Sequence, residues 1–305
     1  MNFKNTIRLI AFLPVLCCIS LGLAAHATEL TGTLKKIKED KVITLGFRES
    51  SIPWSYIDSS SNKVVGYSHE TAMRIVNAVK QELGLPDLQV REIPITAQNR
   101  ISLMQNGTID FECNGTTNTA ERRHQVAFSN TFAITQTQLL TKKTSGVNQM
   151  ADLAGKSVVV TAGSTSERYM RTFVQKNNMN TNIISAKDHS QAFIMLQSDR
   201  VAAFFMDRDV LSALLTRARD SADYKLTGEP QTREALACML RKDDPQFKAL
   251  IDKTITAMQL SGESEKLYNR WFMSPIPPKG DVINTPLSES MRELYAHPND
   301  RSFDD

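Results

Sequence analysis

Past its first 27 residues the chain is short of cysteine, of net charge and of long apolar runs, and each shortage excludes a class of protein. Only two of its four cysteines, Cys113 and Cys238, lie outside the N-terminal segment, and no His, Cys, Asp or Glu cluster has metal-ligand spacing. Setting aside Lys4 and Arg8 leaves 34 basic against 33 acidic side chains, a net of +1. Neither a nucleic-acid binder nor an electrostatic membrane binder is built that way, because both concentrate positive charge. A Ser-His-Asp set is also missing, and "TAGSTSE" is too loose for a phosphate-binding glycine loop. What is present, 305 residues with 41% hydrophobic and 23% charged content, is a soluble globular chain with room for two domains.

The N-terminus stands apart. Lys4 and Arg8 precede an apolar run from Leu9 to about Leu23 and then Ala25-His26-Ala27, the small-x-small pattern of a cleavable signal peptide over residues 1–27. An uncleaved anchor is disfavoured because the run is short for a span, and Cys17 and Cys18 lack the small residues that precede a lipidated cysteine. Export to the periplasm, with cleavage near Ala27, makes Cys113 and Cys238 an even pair in an oxidising compartment, which favours a disulfide over two buried thiols. A bridge there sets the segments near 113 and 238 side by side while the chain between them leaves and returns.

The periodicity alternates strands and helices. "KVITLGF", "LQVREIPI" and "TIDFEC" read as strands, separated by a helix with Ala72, Ile75, Val76, Val79 and Leu83 on one face and a shorter one with Ile101, Leu103 and Met104 inward. The order restarts at about 142 with "SVVVT" and runs through a second small α/β unit to 232. "EALACMLRKDD" is then a strand, followed by two helices and a proline-rich tail from about Ser274 whose first part reads as an extended wrap. The expected fold is α/β. It has two lobes, 28–141 with 233–305 and 142–232, joined by two hinge crossings near 140 and 233, with a ligand cleft between them.

Arginines punctuate the strand ends. Arg48 follows "VITLGF", Arg100 follows "LQVREIPI", and Arg122 sits in "TTNTAERRHQVAFS", where Asn118 or Thr119 caps a short helix with Glu121 placed for a capping box. Open α/β sheets bind ligands beyond the carboxyl ends of their strands, and a guanidinium holds a carboxylate bidentately. At the equivalent ends of the second unit stand Ser164 and Thr165, His189 and Asp207; His189 and Asp207 also fit as plain helix caps. Three cations and a histidine against one carboxylate suit a ligand with two anionic groups and one cationic group, an acidic amino acid.

"GFRESSIPWSY", "PITAQNRISL", "TTNTAERRHQVAFS", "VVVTAGSTSE", "VAAFFMD" and "CMLRKDDPQFK" occur in an order that resembles the type II periplasmic solute-binding proteins for amino acids, in particular their glutamate/aspartate-binding members in ABC importers. The resemblance implies that Arg122 and Thr117 hold the α-carboxylate, that Arg48, Arg100 and His189 hold the side-chain carboxylate, and that Asp207 pairs with the amino group. Ser164 and Thr165 close from the second lobe, and Cys113 and Cys238 match the family's cysteine pair. It also implies a monomer that needs no cofactor and delivers ligand to permease subunits in the inner membrane.

Two positions depart from the family pattern. Ala97 and Gly115 stand where it has serines, and Asn114 brings an amide beside the latter; Asn114 and Gly115 are counted with the expected ligand-binding residues. The competing function is a secreted dehydratase-like enzyme on the same scaffold, with Glu112, His189 or Asp207 as its acid or base.

Overall fold

The computed structural model describes residues 29–304, so the signal peptide and its cleavage site lie outside the described residues. After α1 (Gly32–Asp40), β1 (Val42–Phe47) is buried along nearly its whole length. That is what a continuous apolar run does in a parallel sheet covered on both faces. The small antiparallel sheet of β2 (Ser50–Ser51), β3 (Ser55–Asp58) and β4 (Lys63–Val65) follows. In α2 (Tyr67–Leu83) the residues Ala72, Ile75, Val76, Val79 and Leu83 are buried, and the helix stops at Gly84, whose φ of 61° costs glycine little.

β1 pairs in parallel with β5 (Gln89–Pro94) on one side and β6 (Phe111–Glu112) on the other. Between those two strands lies α3 (Arg100–Gln105), shorter than the pattern suggests. Met104 is fully buried there, whereas Ile101 and Leu103 are only partly covered at the edge of a satellite cluster with Ile95 and Ile109.

After the single turn α4 (Ala120–Arg123), β7 (Val126–Lys142) runs for 17 residues. Its first part, Val126 to Gln136, pairs antiparallel with β12 (Arg233–Arg241). From Thr137 onward it pairs with β10 (Ala203–Asp207) and β11 (Tyr224–Thr227) instead. The second group adds β8 (Ser157–Thr161) and β9 (Asn182–Ala186) in parallel, with α5 (Thr165–Lys176), α6 (His189–Gln197) and α7 (Arg208–Thr216) between strands. The strand order β5-β1-β6-β12-β7-β10-β8-β9 thus passes from one α/β group to the other through β7 and β12 alone.

The chain then packs α8 (Pro245–Leu260) and α9 (Glu263–Phe272) back on the first group. The tail, expected to be extended in its first part, goes on to form one further helix, α10 (Glu289–Ala296). Ser288 starts it by accepting the Met291 N–H at 3.2 Å.

Cys113 and Cys238 are disulfide-bonded across a sequence separation of 125 residues, and β6 lies beside β12 with Glu112 opposite Met239. Closing so long a loop is worth about 5 kcal/mol from chain entropy alone, within a measured range of roughly 0–5. A Cys113→Ser, Cys238→Ser double variant is therefore expected to lose about 2–5 kcal/mol in urea unfolding, while its ligand affinity stays near that of the parent. Unchanged unfolding free energy would show that the unfolded chain is already held together without the bridge.

Candidate ligand-binding cleft

Parallel strands carry their carboxyl ends to one side, and that is where the charges gather. Arg48 leaves β1 directly, Arg100 opens α3 after β5, and Arg122 lies in α4 after β6; all three are buried. From the second group, Ser164 and Thr165 follow β8, His189 follows β9, and Asp207 ends β10.

Local structure fixes each side chain. The Arg48 N–H donates to Ser55 Oγ at 3.1 Å and to Asn114 Oδ1 at 3.3 Å, which anchors the backbone and leaves the guanidinium free of it. Arg100 donates to Thr116 Oγ1, and Thr116 in turn donates to Glu112 Oε1. Asn114 Nδ2 donates to the other oxygen, Glu112 Oε2, at 2.6 Å and to the Gly46 carbonyl at 3.2 Å. Glu112 therefore sits behind the arginines with both oxygens engaged, and the Asn114 amide is committed to the same inner layer. Thr119, not Asn118, caps α4 by accepting the Arg122 N–H at 3.2 Å.

The two groups meet over the cleft. Arg122 Nη1 donates to the Thr117 carbonyl at 2.9 Å, and Nη2 reaches the Gly163 carbonyl at 3.3 Å. Thr117 Oγ1 lies 3.4 Å from Thr165 Oγ1, and Glu121 pairs with Arg168. Gly163, at φ 76°, comes so close that a Cβ there would lie 2.6 Å from Gln98 Cα, next to Ala97. The α6 helix also packs against β2.

Neither of the second group's charged candidates serves as a cap. Asp188 caps α6, accepting the Gln191 N–H at 2.9 Å, and His189 Nδ1 lies 2.8 Å from Thr161 Oγ1. Asp207 occupies the N-cap position of α7 but makes no side-chain cap bond. Among the described residues Arg48 Nη2, Arg100 Nε and Asp207 Oδ1 are buried without a hydrogen-bond partner. Buried polar atoms in native proteins are paired far more often than not. These three sets of unmet valences therefore describe what the cleft asks of a ligand.

The charges feel one another. Burial pushes all three guanidiniums below their ordinary range, Arg100 furthest because Arg122 and Arg48 stand near it, although Glu112 and Asp207 act the other way. Burial, with Arg48 and Arg100 beside it, lowers His189 well below its ordinary value, so it is neutral in this arrangement. Burial raises the Asp207 carboxyl well above its usual value, Glu234 and Asp209 add to that, and Arg100 and Arg122 oppose it.

Glu234, at the start of β12 and bonded by Thr232 at 2.6 Å, belongs to this charge set. Sequence reasoning passed over it, although an acid opening an otherwise apolar strand at a crossing was the available signal. Ser51 Oγ and Trp54 Nε1, also buried without partners, were passed over too; they flank Gly115, where a Cβ would meet Trp54 Cδ1 at 3.4 Å and Ser51 Oγ at 3.8 Å.

Asp209, two residues beyond Asp207, is raised from an ordinary 3.8 to about 6 by burial, with Arg208 in opposition. Because the folded-state value is the higher one, its contribution to stability is full below the unfolded pKa and is lost as pH rises through about 6. That interval is worth at most about 3 kcal/mol. Asp209→Asn is expected to raise the melting temperature at pH 7.5 and to leave it unchanged near pH 3.5; equal melting shifts at both pH values would contradict the buried-carboxyl account.

Residues 43–274 match the family model of the bacterial extracellular solute-binding proteins, family 3. The glutamate/aspartate import solute-binding protein of Escherichia coli K12 is 48% identical over 294 residues, covering 96% of this chain and 97% of the relative. The L-glutamate/L-aspartate-binding protein of Pseudomonas aeruginosa PAO1 is 49% identical over 276 residues, 90% and 91% of the two chains. Among solved structures, an ancestral arginine-binding protein bound to arginine superposes with a TM-score of 0.69 at 27% identity, covering 76% of this chain and 98% of that one. Among the described residues no helix is long and apolar enough to cross a membrane.

Proposed function

The chain belongs to the bacterial extracellular solute-binding proteins of family 3, and from that premise we propose that it captures L-glutamate and L-aspartate in the periplasm and delivers them to the permease of an ABC importer. The observation that carries this reading is the buried cleft in which Arg48 Nη2, Arg100 Nε and Asp207 Oδ1 stand without partners. Arg122 with Thr117 takes the α-carboxylate, Arg48 and Arg100 with His189 take the side-chain carboxylate, and Asp207 takes the ammonium. Thr165, 3.4 Å from Thr117, and the backbone at Ser164 close from the other side, and Gly115 lines the first side beside Trp54 and Ser51. Asn114 supports from behind.

Residues 142–232 form the second lobe and residues 28–141 with 233–305 the first, with β7 and β12 as the crossings. The mechanism is capture without chemistry. Ligand docks on the arginine side, the second lobe swings over it, and its charges complete those of the cleft. Closing an empty cleft buries two guanidiniums and one carboxylate with valences unmet, which is costly, so ligand and closure require each other. Transport without catalysis is the reading that the relatives support, being solute-binding proteins; of the candidate bases, Glu112 has both oxygens occupied by Thr116 and Asn114. One chain supplies the whole site, so a monomer released by cleavage near Ala27 suffices.

Isothermal titration of the mature protein, refolded free of ligand, with L-glutamate, L-aspartate, L-glutamine and glutarate tests this. One-to-one binding of the two acidic amino acids with weak or absent heat from the other two is expected; comparable affinity for glutamine sinks the charge-matching account. Within the acids, Ala97 and Gly115 tune preference. Gly115→Ser fits the ordinary contact distances at that position, and one added hydrogen bond is worth ~0.5–1.5 kcal/mol. Gly115→Ser and Ala97→Ser are each expected to change affinity by roughly two- to tenfold, and by unequal factors for glutamate and aspartate.

A further inference from the structure

The stretch that carries Thr117 and Arg122 is held from two sides. On one side β12 accepts it: Asn118 N–H donates to the Ala235 carbonyl at 2.8 Å, and Ala237 N–H donates to the Thr116 carbonyl at 3.1 Å. On the other side lies the end of the chain, beyond the residues that the family model matches. Asn299 ties this end to β7 by accepting the Thr131 N–H at 2.8 Å.

The Asp300 carbonyl then accepts from Asn118 Nδ2 at 3.0 Å and from Arg123 Nη2 at 2.8 Å, while its carboxylate meets Lys248 at 3.1 Å. Asp304 accepts the Ala120 N–H at 3.2 Å. Between them the Phe303 ring lies 4.1 Å from the guanidinium carbon of Arg233, the first residue of β12 and the neighbour of Glu234. Asp300, Phe303 and Asp304 thus touch the loop that aims Arg122, the turn that carries it, and the strand by which the chain re-enters the first group.

We propose that the C-terminal tail from Asn299 to Asp304 is a positioning element of the ligand cleft, bracing the Thr116–Arg122 stretch against the hinge strand β12. It touches no ligand. Its bonds converge on Asn118 and Ala120, which flank the capping Thr119, so they restrict where the Arg122 fork points; a bidentate carboxylate contact depends on that direction. The contact of Phe303 with Arg233 links the same stretch to one of the two crossings, so it bears on how long the lobes stay closed. The role rests on the assignment of the cleft to acidic amino acids.

The test compares the full mature chain with a chain ending at Pro298, with Phe303→Ala and with Phe303→Tyr, reading glutamate dissociation by stopped-flow, affinity by calorimetry and melting without ligand. Truncation is expected to speed dissociation by about tenfold, and Phe303→Ala by about two- to fivefold, the worth of a part-exposed cation–π contact. Phe303→Tyr keeps the ring and restores the parental rate. Phe303→Ala is a part-exposed surface change and is expected to fold even if the truncated chain does not.

Dissociation rates within experimental error of the parent in Phe303→Ala, or a lower melting temperature with no change in dissociation, overturn the proposal. A full-length chain that binds neither glutamate nor aspartate overturns the functional assignment itself, independently of the tail.

Discussion

Arg122→Ala is expected to cost the protein its affinity for glutamate and aspartate alike, by about 2–5 kcal/mol, on the order of 30- to several-thousand-fold. The guanidinium does two jobs at once. In the proposed reading it holds the ligand α-carboxylate, and in the structure it reaches across to the Gly163 carbonyl at 3.3 Å. Removing it would take away that proposed carboxylate partner and one of the bonds that hold the two sides together.

The loss applies to both acids because they share the α-carboxylate and differ only in side-chain length. Arg122→Lys separates the two contributions, since a lysine keeps the charge but not the planar fork, and its affinity is expected to fall between those of the parent and the alanine variant. Calorimetry with both ligands, alongside a urea melt to confirm folding, decides the matter. An alanine variant that binds within threefold of the parent would remove Arg122 from the site.

The arginines were legible in the sequence for a reason that belongs to the sheet. Arg48 comes directly after its strand, and Arg100 and Arg122 lie in the first helical turns that follow theirs; parallel strands deliver their carboxyl ends to a common edge. Once the order β-α-β-α-β is read, convergence follows without any side-chain geometry. The same rule placed His189 and Asp207 at that edge, and the structure removes the cap reading of both, since Asp188 caps α6 and Asp207 makes no side-chain cap bond; their role toward a ligand is a proposal.

The cleft's supporting layer was not legible. Glu112 behind Arg100, the Thr116 relay between them, and Ser51 and Trp54 beside Gly115 are brought together by tertiary packing between segments that carry no periodic signal. The tail shows the same limit. Composition gave a proline-rich wrap from Ser274, and it could not show that Phe303 returns to Arg233 or that Asp304 returns to Ala120, because those contacts join residues 70 and 184 positions apart. The length of β7 was hidden for another reason. Its ladder is divided between the two groups at Thr137, so its apolar pattern answers to two cores at once.

Asp207→Asn is expected to change selectivity more than it changes the fold. Burial, aided by Glu234 and Asp209, makes the closed cleft a poor place for the Asp207 carboxylate on its own, and an ammonium placed against Oδ1 reverses that. Losing one partner of such a buried pair costs about 3–5 kcal/mol, so glutamate affinity is expected to fall by at least about a hundredfold.

Glutarate, which has both carboxylates and no amino group, should behave in the opposite way. In the parent it closes the cleft over an unpaired Asp207 and is rejected; in Asp207→Asn that charge is gone, and glutarate affinity is expected to rise. The ratio of the two dissociation constants therefore reports where the ammonium sits, even if the substitution perturbs stability, because any loss of folded protein lowers both affinities together. If the variant keeps the parental ratio of glutamate to glutarate affinity, the amino group is recognised elsewhere, and Ser51 and Thr117 become the next groups to vary.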